Sequence, residues 1–165
     1  MNDVLTSADG WTLAATTDAE IDELMGWFPD SHSVDIWGGP EFRYPFTRGS
    51  FVEDCGMDVM RSFTLRSPGQ AMAAFGQIYD RQGRGHLARL IAEPSMRGEG
   101  AGKRLIAMLM QVAREQLGFN EYSLFVYRHN EPAYRCYLAM GFTVQDYPDD
   151  AKMKDKCYFL TRSSD

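Results

Sequence analysis

The order and spacing of apolar residues predict a mixed α/β domain, a sheet with helices on its faces. Three observations carry this. Strand-like segments separated by turn residues occupy 61–92, an apolar helix follows over 103–117, and a strand, a short helix and two closing strands complete the chain. The 165 residues, 44% hydrophobic and 13% aromatic, suit one domain with its own core, and 1–165 is read as a single unit without repeats or low-complexity tracts.

Residues 11–17 read as a strand, and Asp18 as the N-cap of a helix with Ile21, Leu24, Met25 and Phe28 at helical spacing, ended by Pro29. Residues 31–46, with Trp37-Gly38-Gly39-Pro40 and Pro45, read as an aromatic-rich loop before a short helix starting near Thr47. Strands are expected over 62–66, 71–79 and 86–92, separated by turns at Ser67-Pro68-Gly69 and at 80–85, as an antiparallel meander. The helix over 103–117 has two apolar stripes and is expected to be buried against the sheet, with Gly118 at its C-cap. A strand over 122–127, a helix over 130–140 closed by Gly141, and strands over 142–147 and 157–161 follow. The order is thus β, two helices, three strands, helix, strand, helix, two strands.

Composition excludes several functions. The formal net charge of −6 argues against a nonspecific hold on nucleic acid without a local basic patch and mildly favours cationic partners such as amines. The apolar run at 105–110 is far shorter than the roughly 18 residues of a membrane span, and Met1 to Leu5 resembles no secretory leader. A soluble, unprocessed cytoplasmic protein is expected. Cys55, Cys136 and Cys157 have no C-x-x-C spacing, which argues against a zinc site and a disulfide framework.

The segment most informative about chemistry is 92–105, a turn between strand and helix with three glycines. Such a turn converges backbone N–H groups on an anion, the helix dipole adds to the attraction, and Lys103 and Arg104 add charge. Phosphate or pyrophosphate is the natural occupant. A nucleotide P-loop would need Gly at position 97 and Ser or Thr at 104, where arginines stand, and the dinucleotide fingerprint G-x-G-x-x-G also fails here. Gly83-x-Gly85-x-x-Ala88 leads into a strand instead of a helix and is read as chance.

What fits is R-x-x-G-x-G at Arg97-Gly98-Glu99-Gly100-Ala101-Gly102, followed by N-x-x-A-x-x-x-Y-x-x-x-G-F from Asn130 through Ala133, Tyr137 and Gly141 to Phe142. Together, in this order, they resemble the two signatures of the GNAT N-acetyltransferase superfamily over about residues 86–142. The resemblance implies a mostly antiparallel sheet of six to seven strands, splayed between the fourth and fifth, with helices on both faces. It implies a transferase moving an acetyl group from acetyl-CoA to a primary amine by direct attack.

The same resemblance implies residue roles. Backbone groups of Leu90, Ile91 and Ala92 would hold the pantetheine arm, with an N–H there steadying the oxyanion. Arg97, Gly98, Glu99, Gly100, Ala101, Gly102 and Lys103 would hold the pyrophosphate, and Asn130 would add a further cofactor contact, be the plain N-cap of its helix, or be both. Tyr137, also beside the cofactor, is placed as the general acid for the leaving thiolate, and Tyr134 as packing. Glu93 and His86 are the candidate bases. Strand alternation sets His86, Ala88, Leu90 and Ala92 on one face and Glu93 on the other, and a β-bulge in this strand would reverse that parity.

The acceptor, a small-molecule or peptide amine, is expected against the first 60 residues. Trp27, Phe28, His32, Asp35, Trp37, Phe42 and Tyr44 are its candidates, or else these rings cap the core. A non-catalytic acyl-CoA sensor of the same fold and an acyltransferase for longer chains are the competing readings. No metal, nucleic acid or membrane is expected, and a homodimer through the closing strands is compatible with the fold.

Overall fold

A computed structural model describes residues 5–164; Met1 to Val4, part of the stretch read as lacking a leader, lie outside the described residues. The chain forms β1 (Leu5–Thr6), β2 (Thr12–Ala15), α1 (Asp18–Met25), α2 (Ser31–Gly38), α3 (Arg48–Cys55), β3 (Arg61–Arg66), β4 (Met72–Arg81) and β5 (Arg84–Ala92). After a single 3-10 turn at Pro94–Met96 come α4 (Ala101–Glu115), β6 (Glu121–Tyr127), α5 (Glu131–Ala139), β7 (Thr143–Gln145) and β8 (Cys157–Ser163). The eight strands form one sheet in the order β1-β2-β3-β4-β5-β6-β8-β7, antiparallel except for β5 against β6. The eighth strand, beyond the six to seven expected, is the two-residue β1, paired with β2 through Leu5 and Thr6. No helix among the described residues is long and apolar enough to cross a membrane.

The N-terminal helices begin on capping boxes. Thr17, not Asp18, caps α1, because its hydroxyl accepts from the Glu20 backbone N–H while Glu20 Oε1 accepts from Thr17 N–H at 2.9 Å. Gly26 ends α1, so Pro29 does not terminate it, and Trp27 and Phe28 are buried in the loop beyond. The expected loop over 31–46 contains α2 instead. Asp30 and Ser33 form its capping box and Val34 its buried anchor, so Pro29 marks the approach to a new helix. Thr47 caps α3 with Ser50, so the short helix starts where the sequence leads one to expect.

Two apolar layers sit on opposite faces of the sheet. Leu105, Ile106, Met108, Leu109, Val112 and Ala113 of α4 pack on Leu65, Ile78, Leu87 and Leu124. On the other face, Ile21 and Leu24 of α1, Val34 of α2 and Phe51 of α3 gather around Trp27, Phe28, Phe42 and Phe75. Trp37 of α2 stacks on Phe51 with ring centroids 5.7 Å apart and lies 4.6 Å from Phe28.

Candidate active site

Strand β5 is paired with β6 only at Gly85↔Tyr122 and His86↔Ser123, although both strands continue well beyond. From Leu87 onward β5 therefore has an unpaired side, and the parallel strands diverge toward their C-terminal ends. The splay falls where the resemblance implies it, between the strand before the turn and the strand after its helix. Since Glu93 N–H bonds to Ala73 O at 2.8 Å, ladder alternation turns the peptide groups of Ala92 toward the gap.

The bulge is present. Phe75 pairs with Ile91 and Gln77 with Ala88, so Arg89 and Leu90 together oppose Gly76, and Arg89 adopts φ +49°. Parity reverses there. A Cβ on Gly76 would meet Leu90 and two leucines of α4, placing Leu90 on the α4 face with Leu87, whereas Ile91 packs into the layer of α1 to α3. By alternation Glu93 joins Ile91, on the face that also holds His86.

Sequence reasoning missed Arg89, whose guanidinium donates to Asp54 O at 3.1 Å, Cys55 O at 3.4 Å and Gln77 Oε1 at 3.1 Å. A cation thus satisfies the terminal carbonyls of α3, where the helix dipole also attracts it. Among the described residues Arg89 Nε has no partner, while the Arg89 carbonyl accepts from Trp37 Nε1 at 2.7 Å. The available signal was one charge within the apolar run from Leu87 to Ala92.

The turn after β5 is built from backbone. Glu93 caps the 3-10 turn by accepting from Ser95 N–H at 3.0 Å and from the Ser95 hydroxyl. Gly98 and Gly100 have φ of +83° and +84°, conformations that L side chains rarely adopt. A Cβ at Gly98, Gly100 or Gly102 would meet nothing within 4 Å, so the space over the turn is open. Gly100 gives α4 no side-chain cap, which leaves first-turn N–H groups for a ligand. Arg97, Glu99 and Lys103 are exposed beside it. Arg104 is committed elsewhere: its guanidinium forms a two-point ion pair with Asp9, at 2.9 and 3.0 Å, and lies 4.8 Å over the Trp11 ring. The expected contribution of its charge to phosphate is therefore redirected to the N-terminal hairpin.

Helix α5 follows β6 and packs Ala133, Tyr134, Cys136 and Tyr137 on the α4-side core. Asn130 precedes it, but its side chain makes no capping hydrogen bond and is available to a ligand. Tyr137 packs against the α4-side core, edge-on to Phe142 at 6.3 Å. Among the described residues its hydroxyl has no hydrogen-bond partner, and burial pushes the phenol above its ordinary range, so it stays protonated. Tyr134 instead packs on Tyr158 at 4.7 Å.

His86 lies at the closed end of the splay. It is 2% exposed, its ring is 4.9 Å from Tyr79 and 5.0 Å from Phe125, and Nδ1 is 2.8 Å from Ser123 Oγ. Burial, aided by Arg81, lowers its pKa to about 3, so the imidazole is neutral at physiological pH.

The structure does not bring the residues proposed for the acceptor together. Trp27, Phe28 and Phe42 are core, His32 and Tyr44 are exposed, and Trp37 is the partly buried link to β5. Asp35 alone among the seven lines a cavity of about 440 Å³, bounded also by Pro40, by Tyr127 to His129 at the end of β6, and by Met153, Asp155 and Lys156. A cavity of about 370 Å³ between Met110, Arg114, Met140 and Arg162 lies toward the far ends of α4 and α5, away from the turn.

Residues 22–142 match the Acetyltransferase (GNAT) family. The chain belongs to that family. Among solved structures, spermidine N-acetyltransferase from Vibrio cholerae, in complex with CoA and spermine, has a TM-score of 0.74 at 14% identity, over 94% of this chain and 96% of that one. A Klebsiella pneumoniae protein provisionally named an acyl-CoA N-acyltransferase has a TM-score of 0.66 at 20% identity, over 93% and 97% of the two chains. These likenesses establish the GNAT fold, with its mostly antiparallel sheet and its single parallel pair at the splay.

Proposed function

We propose that this GNAT protein is an N-acetyltransferase that moves the acetyl group of acetyl-CoA to a primary amine by direct attack. The carrying observation is the splay of β5 from β6, with an uncapped glycine turn at one end and the free hydroxyl of Tyr137 on the α5 side. The residues fit the donor: the turn has room over Gly98, Gly100 and Gly102, and β5 has an unpaired backbone edge. When bound, acetyl-CoA supplies an activated thioester to the attacking amine.

In this reading Arg97 to Lys103 hold the pyrophosphate through backbone N–H groups and the Arg97 and Lys103 charges. Leu90, Ile91 and Ala92 line the pantetheine arm, and Asn130 binds it from α5. Tyr137 donates its proton to the sulfur as the carbon–sulfur bond breaks; its hydroxyl carries that proton and, among the described residues, has no other partner. Glu93, half-buried at the open end of the splay, accepts the proton leaving the amine. His86, sealed at the closed end, fixes the vertex by bridging β5 to Ser123 of β6.

The test is Tyr137→Phe. Turnover, measured by thiol release, is expected to fall about 100-fold, with acetyl-CoA affinity by calorimetry within about twofold of wild type. Undiminished turnover would remove Tyr137 as the acid. Acetyl-CoA binding without turnover on any amine in wild type would favour the sensing module instead.

A further inference from the structure

Helix α2 spans the splay. Its Trp37 donates to the Arg89 carbonyl of β5 at 2.7 Å, and its Asp35 Oδ1 accepts from the Tyr127 hydroxyl of β6 at 3.4 Å. The cavity of about 440 Å³ therefore lies at the open end of the gap, on the face opposite α4. Its volume is in the range of small-molecule sites.

Its charges are balanced and unpaired. Two carboxylates, Asp35 and Asp155, and two cations, Arg128 and Lys156, line one cavity. Among the described residues, none of the four forms an ion pair. Arg128 lies 4.8 Å over the Tyr158 ring, which restrains its guanidinium at the rim, and Tyr127 engages one oxygen of Asp35 while leaving the other free. Burial, with Asp35 second, raises the Tyr127 pKa to about 12, so that hydroxyl remains a donor.

Resting on the acetyltransferase reading, we propose that the acceptor is a zwitterion: an amine that also carries a carboxylate, of the amino-acid class, and not a polyamine. Asp35 takes the ammonium as it arrives, and Arg128 and Lys156 take the carboxylate. A polyamine presents positive charge along its length and would set one end against Arg128 and Lys156.

The experiment uses the full chain and pairs of acceptors differing by one carboxylate: L-lysine with cadaverine, L-ornithine with putrescine, and L-methionine with 3-(methylthio)propylamine, plus spermidine. Affinity for the CoA-saturated protein is measured by calorimetry and kcat/KM by thiol release. At least one amino acid is expected to exceed its decarboxylated partner about tenfold in both. The double variant Arg128→Gln/Lys156→Gln is expected to erase that preference while its acetyl-CoA affinity stays within about twofold of wild type. Spermidine or the decarboxylated amines leading throughout, or a preference that survives the double variant, would overturn the proposal. The two readings fail separately. Absence of acetyl-CoA binding strikes at the acetyltransferase reading, and amino-acid affinity is then read on the CoA-free protein, where absence of a carboxylate preference overturns the zwitterion.

Discussion

The two faces of the sheet solve different problems by different means. On the α4 side, the turn from Arg97 to Lys103 exposes main-chain N–H groups, and its side chains are mostly absent or turned to solvent. On the side of α1 to α3, the backbone is covered and rings pack on rings, with Phe51 fully buried against Trp37, Phe28, Phe42 and Phe46. A surface made from backbone needs glycines at fixed intervals, and spacing is visible in a sequence. Packed rings need only apolar bulk at partners distant in the chain, and many sequences provide that. The contrast explains why one half of the site could be read residue by residue and the other could not.

The contrast can be tested by perturbing each face and measuring what the other depends on. The largest effect is expected on the aromatic face: Phe51→Ala should destabilise the fold by about 3–5 kcal/mol in urea denaturation. Acetyl-CoA affinity, measured where the variant is still folded, should change little. Coupled loss of both would mean that the two faces do not act independently.

Next is the turn. Gly100→Asp should weaken acetyl-CoA binding on the order of 100-fold relative to Gly100→Asn. Both side chains tolerate the φ of +84° similarly, so the difference reports charge against pyrophosphate and not backbone strain. Equal affinities in calorimetry would remove phosphate from the turn.

At neutral pH the smallest effect belongs to the vertex joining the faces, and it grows only on acidification. With the His86 pKa lowered to about 3 in the folded chain and near 6.5 unfolded, the unfolded state binds the extra proton between those values. The stability contributed by the neutral buried ring is complete above about pH 6.5 and is lost as pH falls toward 3. The loss approaches about 1.4 kcal/mol per pH unit. His86→Gln should flatten that part of the stability curve relative to wild type. A variant curve parallel to wild type would mean that His86 titrates normally.

The sequence carried the meander, the turn, α4 and α5, because each has a local signal in glycine spacing, turn residues or apolar stripes, although α4 ends at Gln116 and not at the expected Gly118 cap. It carried the idea of a bulge but not its place, since Arg89 declares itself only through the carbonyls of Asp54 and Cys55, which a distant helix delivers. Helix α2 was hidden by Pro29 and Gly39, which read as loop residues although Asp30 and Ser33 form a complete capping box between them. The pairing of Asp35 with Tyr127, 92 positions apart, has no local signature at all.

The extra residue at Arg89–Leu90 has a consequence for how such chains are aligned and engineered. Removing one residue there would leave the composition nearly unchanged but would exchange the sides on which Leu90, Ile91 and Ala92 emerge. Ile91 would meet the helix that now receives Leu90, and the peptide groups facing the gap would be those that now bind β4. Over this stretch the count of residues carries information that no side-chain substitution table records, so β5 should accept many replacements and few gaps.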